Sequence, residues 1–178
     1  MSVFLAVDLD DPTRTLAAGL IETHRAMWPK ARWLRTDKLH CTLVFLGHPT
    51  ADQLTQWAPA IDALASRHLP FSLRLSGAGT FSTARAASVL WLGISGMLAP
   101  LAALQRDTEE TFGLQAKEAF IPHVTLARAQ QPGTFETLVA DLSTLTSSDF
   151  QIRGLSLYES SSEVYRVIHA APLFHRGA

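Results

Sequence analysis

Short apolar runs alternate along the chain with stretches in which apolar residues recur at helical spacing. Residues 3–9 form a β-leaning run that Asp10-Asp11-Pro12 stops, with Asp11 placed to cap a helix and Pro12 at its first position. Leu16, Leu20, Ile21 and Met27 then follow a helical period as far as Trp28-Pro29. A polar turn, Thr36-Asp37-Lys38, leads into a strong strand over 39–46. A helix is predicted over 53–67, with Pro59 in its middle, and strands over 71–75 and 88–94 with a Gly- and Ser-bearing turn between them. Gly77-Ala78-Gly79 belongs to that turn. The next helix, 97–112, is closed by Gly113. A strand over 121–128, a helix over 135–142 and a closing hairpin of 150–158 with 164–170, turning at Ser160-Ser161-Ser162, complete the pattern.

This order contains one repetition. His40-Cys41-Thr42-Leu43 recurs as His123-Val124-Thr125-Leu126. Random placement of these residue types gives about 0.1 copies of such a motif per chain, so two copies are not an accident. The surroundings repeat too: strand 3–9, a helix, then His40 is mirrored by strand 88–94, a helix, then His123, at an offset of 83 that also carries Leu9 onto Leu92. One domain over 1–178 is expected, built as two similar halves with motifs at 40–43 and 123–126.

Composition narrows the partners. The 178 residues carry 15 Lys+Arg against 16 Asp+Glu and are 47% hydrophobic. That excludes global disorder and a polybasic surface wrapping long nucleic acid. A single cysteine, Cys41, excludes a disulfide framework or a multi-cysteine zinc site. No run is long enough for a membrane span, and the first residues show no basic leader, so a cytoplasmic, monomeric protein is expected.

Residues two apart in a strand share a face. His40 therefore points with Thr42, and His123 with Thr125, while Leu39, Cys41, Leu43 and Phe45 are expected to point into a core. Two imidazole–hydroxyl pairs facing each other across a cleft suit in-line displacement at phosphorus. One histidine removes a proton, the other delivers one, and the hydroxyls hold the non-bridging oxygens. No metal or cofactor is required. Cys41 faces away from His40 and is read as packing. His24, His48, His68, His169 and His175 are read as ordinary hydrogen-bonded side chains, and Trp28, Trp33, Trp57 and Trp91 as core.

The segments 39–47 (LHCTLVFLG) and 120–128 (FIPHVTLAR) resemble the two signatures of the two-histidine (2H) phosphoesterases, and most nearly those of the LigT-like RNA 2′,3′-cyclic phosphodiesterases, also called 2′-5′ RNA ligases. The similarity extends to the opening strand, Trp33, the segment 89–93 and the closing residues Tyr158, Ser160 and Tyr165. It implies an α+β fold of two pseudo-symmetric lobes. Each lobe is a mostly antiparallel sheet with helices outside, and the two enclose a central cleft. It also implies hydrolysis of an RNA-terminal 2′,3′-cyclic phosphate, or of a small cyclic nucleotide, to a 2′-phosphomonoester, with 2′-5′ ligation as the reverse. Carried over by position, His40 is the proton donor, His123 the proton acceptor, Thr42, Thr125 and Arg128 bind phosphate, and Phe120 contacts base or ribose. In a regular strand Arg128 points away from His123, so its reaching the site requires a bulge or the strand's end. Val44 stands where many relatives carry lysine, and 159–163 is acidic where some are arginine-rich; both argue against tight binding of long RNA. The alternative, a nucleotide-binding module without turnover, is disfavoured by retention of both histidines and both threonines.

Overall fold

Period-two alternation leaves each strand of this chain with one strongly apolar side, and the folded structure gathers those sides beneath four helices. In a computed structural model, residues 2–115, 118–161 and 164–174 are described. Their strands are β1 (Ser2–Asp8), β2 (Arg32–Trp33), β3 (His40–Gly47), β4 (Phe71–Thr83), β5 (Ala86–Gly96), β6 (His123–Ala129), β7 (Phe150–Ile152), β8 (Gly154–Ser160) and β9 (Tyr165–Pro172). The helices are α1 (Asp11–His24), α2 (Ala51–Ala65), α3 (Leu98–Thr111) and α4 (Glu136–Asp141). The strands join in one antiparallel sheet of order β7-β4-β5-β6-β3-β1-β8-β9, with β2 added beside β6. This is an α+β architecture with an open sheet, not a closed barrel.

One face of the sheet carries the main core. Alternate residues of β1 (Val3, Leu5 and Val7), Cys41 in β3, Leu90 and Leu92 in β5, and Val124 in β6 pack with Ile21 of α1, Ile61 of α2, Leu101 of α3 and Leu138 of α4. The opposite face bears a smaller cluster, Phe4, Ala6 and Tyr158, with Tyr165 against it. Because every helix sits on the first face, the second is free to hold chemistry. Among the described residues no helix is long and apolar enough to cross a membrane.

The two copies of the repeated motif lie on neighbouring strands. β3 and β6 run antiparallel and pair at Cys41↔Val124. Each then pairs outward with its own partner, β3 with β1 and β6 with β5. The offset of 83 holds for the motifs but not for those partners. Cys41 is opposite Val7 and Val124 opposite Leu92, two residues further along than the offset that carries Leu9 onto Leu92. The connecting helix and loops absorb the difference.

Several expectations are corrected. The cap of α1 is Asp10, whose carboxylate accepts from the Thr13 N–H at 2.9 Å, so Asp11 is already helical. Helix α2 begins at Ala51, not 53, because Thr50 and Gln53 form a reciprocal capping box, and it runs on through Pro59. Gly77-Ala78-Gly79 is not a turn but part of the long strand β4. There a bulge between Leu75 and Ala78 is accommodated by Gly77 at φ +64°. The closing strand breaks at Arg153 into β7, which pairs with β4, and β8, which pairs with β1 and β9. The strand expected over 121–128 starts at His123, leaving Phe120 and Ile121 in the approach to it. Ser162 of the expected hairpin turn, and His175, lie outside the described residues.

Candidate active site

The chain enters the first motif from a tight, tethered segment. Before β3, a 3₁₀ turn over Thr36–Lys38 is held to α1 by the Arg14 guanidinium, which donates to the carbonyls of Leu39 at 2.8 Å, Thr36 at 3.1 Å and Leu9 at 3.3 Å. His40 then turns its Nδ1 to the Lys38 carbonyl at 2.7 Å, and His123 turns its Nδ1 to the Ile121 carbonyl at 2.7 Å. A carbonyl only accepts, so Nδ1 carries the proton in both neutral rings and each Nε2 is left for chemistry. Nε2 of His40 lies 2.9 Å from the Thr42 hydroxyl.

Antiparallel pairing around Cys41↔Val124 sets the relation between the two pairs. It brings His40 alongside Thr125 and Thr42 alongside His123, so the imidazoles occupy opposite corners of a four-residue patch. The pairs therefore sit side by side on one face of a continuous sheet. Cys41 is fully buried on the other face, where burial pushes its thiol up to about 12, an environment that makes a poor nucleophile.

A bulge occurs at the same place in both motifs. In β3, Ala6 is opposite Thr42 but Leu5 is opposite Val44, so Leu43 is the extra residue. In β6, Trp91 is opposite Thr125 but Leu90 is opposite Ala127, so Leu126 is the extra residue. Each bulge reverses the facing of the residues after it. Phe45, expected in the core, is instead 69% exposed on the site face opposite Phe4. Arg128, its counterpart 83 residues on, is brought to the same face as His123 and Thr125, opposite Val89. The period-two pattern carries no mark of the bulge and so misplaces Phe45.

The two histidines have unlike surroundings. His40 stacks on Phe4 with ring centroids 4.6 Å apart and lies within 5.6 Å of Tyr158 and 5.5 Å of Tyr165. Asp8, directly opposite His40 in β1, accepts from the Ser156 hydroxyl at 2.5 Å and from the Tyr158 hydroxyl. His123 meets the edge of Phe81 at 4.9 Å and lies 6.0 Å from Trp91. Trp91 is thus not core but half-buried on the site face. Its indole lies over Gly79, where an added Cβ would come within 2.3 Å of the ring. The other expectations fare better. Trp28, Trp33 and Trp57 pack against the main core and His169 bonds Asp62 at 2.8 Å, whereas His68, 3.0 Å from Asp107, leaves its buried Nε2 without a well-aligned hydrogen bond.

Burial dominates the titration of both rings. Desolvation lowers His40 to about 4, against the opposing pull of the Lys38 carbonyl and Asp8, with Arg14 and His123 adding to the lowering. Desolvation also lowers His123, opposed by the Ile121 carbonyl and reinforced by Arg128. Beside the patch opens a cleft of about 810 Å³, reached by Thr42, His123, Phe45, Phe81 and Phe120. Among the described residues no three His, Cys, Asp or Glu side chains converge to hold a metal ion.

The chain is similar to proteins already known. Residues 12–163 match the family model of the 2′-5′ RNA ligase superfamily. An RNA 2′,3′-cyclic phosphodiesterase of Geobacillus stearothermophilus is 30% identical over 96% of this chain, which spans 56% of that relative's length. One of Thermus thermophilus is 32% identical over 74% of this chain and 70% of its own. The fold matches the crystal structure of Escherichia coli LigT complexed with 3′-AMP at a TM-score of 0.74 and 24% identity, covering 98% of each chain.

Two outcomes test this geometry. Because His40 is held neutral by burial, the unfolded chain takes up its proton first as pH falls below 6.5. Stability is therefore full above that pH and declines towards pH 4, by about 3 kcal/mol for this group. Denaturant unfolding at pH 7 and pH 4.5 should show this loss, and His40→Gln should remove most of it. Gly79→Ala should push the Trp91 indole out of its seat and lower stability by about 1–3 kcal/mol. Unfolding indistinguishable from the parent chain would contradict that close packing.

Proposed function

The chain belongs to the 2′-5′ RNA ligase superfamily, and from that premise we propose that it hydrolyses 2′,3′-cyclic phosphate at RNA ends to a 2′-phosphomonoester without a metal ion. The observation that carries this reading is the pair of imidazoles at opposite corners of one patch, each with Nδ1 tied to its own chain, which leaves Nε2, that of His40 beside the Thr42 hydroxyl, as the nitrogen that moves a proton. A single histidine would serve a stepwise reaction. Two on either side of a small anion serve in-line displacement.

In this mechanism the cyclic phosphate rests between the threonines, whose hydroxyls donate to its non-bridging oxygens, with the Arg128 guanidinium adding positive charge from the end of β6. His123 Nε2 removes a proton from water as the water oxygen bonds to phosphorus. The bond from phosphorus to O3′ breaks on the opposite side, and the protonated Nε2 of His40 delivers its proton to O3′. The phosphate stays on O2′. A 5′-hydroxyl in place of water runs the same steps to a 2′-5′ linkage.

The neighbours act on both rings: Asp8 opposite His40 favours a proton there while Arg14 and His123 disfavour it, and Arg128 disfavours one on His123. Bound phosphate adds a negative charge that opposes the desolvation of His40 and lets it carry its proton. The cleft beyond Thr42 and His123, walled by Phe45, Phe81 and Phe120, has room and apolar surface for base or ribose.

The test is turnover of an oligonucleotide ending in 2′,3′-cyclic phosphate in the presence of EDTA. A 2′-phosphate product is expected, and His40→Ala and His123→Ala should each lower kcat by about 10²–10⁴-fold. No turnover by the parent protein, undiminished turnover by both variants, or a 3′-phosphate product would overturn the reading. Turnover of small cyclic nucleotides alone would narrow the substrate. Since the productive form has one protonated and one neutral ring, and both are lowered in the free protein, kcat/KM should follow a bell with its maximum below pH 6.5. The kcat profile should lie at higher pH, because bound phosphate raises both rings. A kcat/KM still climbing above pH 7 would count against the two-imidazole scheme.

A further inference from the structure

Beyond the four-residue patch, β6 has a second neighbour. Past the His40 end of β3, the two-residue strand β2 takes its place beside β6, and Arg32 is directly opposite Arg128. Residues paired in this way share a face, and two facts fix which one. Arg128 shares the face of Thr125 through the bulge at Leu126. Trp33, the next residue after Arg32, packs into the main core against Phe135 on the helix side, so Arg32 points the other way. The two residues thus share the site face, where Arg128 is near enough to His123 to act on its charge. Among the described residues no carboxylate lies within ion-pair distance of either. Like charges directly opposite one another destabilise a sheet, and an anion between them reverses the sign of that interaction.

Resting on the function proposed above, we infer that Arg32, with Arg128 shared between it and the cyclic phosphate, forms a subsite for the phosphate on the 5′ side of the terminal ribose. Three considerations lead there. The first is distance. From Thr125 to Arg128 the bulge leaves two effective strand steps, about 7 Å, comparable with the separation of neighbouring phosphates along an extended RNA strand. The second is charge. The patch is cationic at the Arg32–Arg128 end, beyond His40 and Thr125. At the other end it opens into a cleft lined by Phe45, Phe81 and Phe120 together with Glu109 and Glu118, a poor place for a phosphate chain.

The third is the connectivity of ribose. The base hangs from C1′, next to C2′, and the 5′ carbon from C4′, next to C3′. From a cyclic phosphate, base and 5′-phosphate therefore diverge, the base on the O2′ side and the phosphate on the O3′ side. With the 5′-phosphate on the arginines and the base towards the cleft, O3′ falls beside His40. Water then arrives from the cleft, past His123. The subsite thereby selects which oxygen leaves, and the direction in which the strand lies dictates the 2′-phosphate product.

Three probes of one base, each ending in a 2′,3′-cyclic phosphate, test the assignment: one with a free 5′-hydroxyl, one with a 5′-monophosphate and one as the 3′ residue of a dinucleotide. In the parent protein the two with a 5′-phosphate should have kcat/KM about tenfold higher than the first, an advantage that falls with added salt. Arg32→Ala should bring the three to within about twofold of one another by lowering only the phosphorylated pair, and Arg32→Lys should restore part of the advantage. Equal kcat/KM for all three in the parent protein, or an advantage unaltered in Arg32→Ala, overturns the subsite. An advantage confined to the dinucleotide overturns it in favour of a second nucleoside contact. The same comparison by calorimetric binding of the 2′-phosphate products does not depend on turnover. If no probe is hydrolysed, which refutes the proposed reaction alone, the binding difference and its loss in Arg32→Ala still decide the subsite.

Discussion

The antiparallel pairing of β3 with β6 at Cys41↔Val124 is the constraint on which the site depends. Each strand brings one histidine and one threonine at a spacing of two, which fixes only that they share a face. Antiparallel pairing then places the histidine of one strand beside the threonine of the other. A parallel arrangement of the same two motifs would line both imidazoles along one edge and both hydroxyls along the other, and no phosphorus between them could be approached from one side and left from the opposite one. Burial of Cys41 and Val124 beneath the helices makes the register costly to shift, since a slip of one residue would turn both motifs into the core.

Holding two imidazoles in a sheet face carries an electrostatic consequence. Burial that orients the rings also disfavours their charged forms, and His40, stacked among Phe4, Tyr158 and Tyr165, is affected more strongly. The ligand-free site therefore rests with both rings neutral near pH 7. In the proposed reaction, the charge that completes it is the substrate's own. A buried carboxylate in direct contact with His40 would keep that ring protonated permanently. Asp8 instead has both oxygens engaged by Ser156 and Tyr158, and this tempers its pull.

The repeated motif was legible because it is local: four consecutive residues, twice, with the chemistry written in the side chains. The flanking face was not. Phe45 reads as core by alternation, and that reading fails at one residue, the bulged Leu43. Arg128 is expected to need a bulge to share the face of His123, and the bulged Leu126 supplies it, yet each is an ordinary leucine in an ordinary strand. Trp91 reads as core because indoles usually are. What brings it beside His123 is a glycine, Gly79, in a segment whose composition suggests a turn. The Asp8–Tyr158 contact joins residues 150 apart in sequence, a pairing that only the placement of β8 beside β1 creates. Capping of α2 by Thr50 and Gln53, in contrast, is a sequence signal of known spacing that could have corrected the start of that helix.

Duplication alone yields a symmetric constellation, and a symmetric constellation has no reason to prefer one histidine as acid. The symmetry is broken by the residues around the motifs. Position 45 is phenylalanine where position 128 is arginine, and His40 looks onto Asp8 where His123 looks onto Gly93. The bulge is common to both halves, so the fold offers the same two outward positions in each, and the side chains that fill them differ in charge. One end of the patch is thereby apolar and the other cationic. A substrate that is itself polar end to end, with a base at one extreme and a phosphate at the other, can lie across such a patch favourably in only one direction. In the reaction proposed here, direction of binding, more than any difference between the imidazoles themselves, decides which of them meets water and which meets the leaving oxygen.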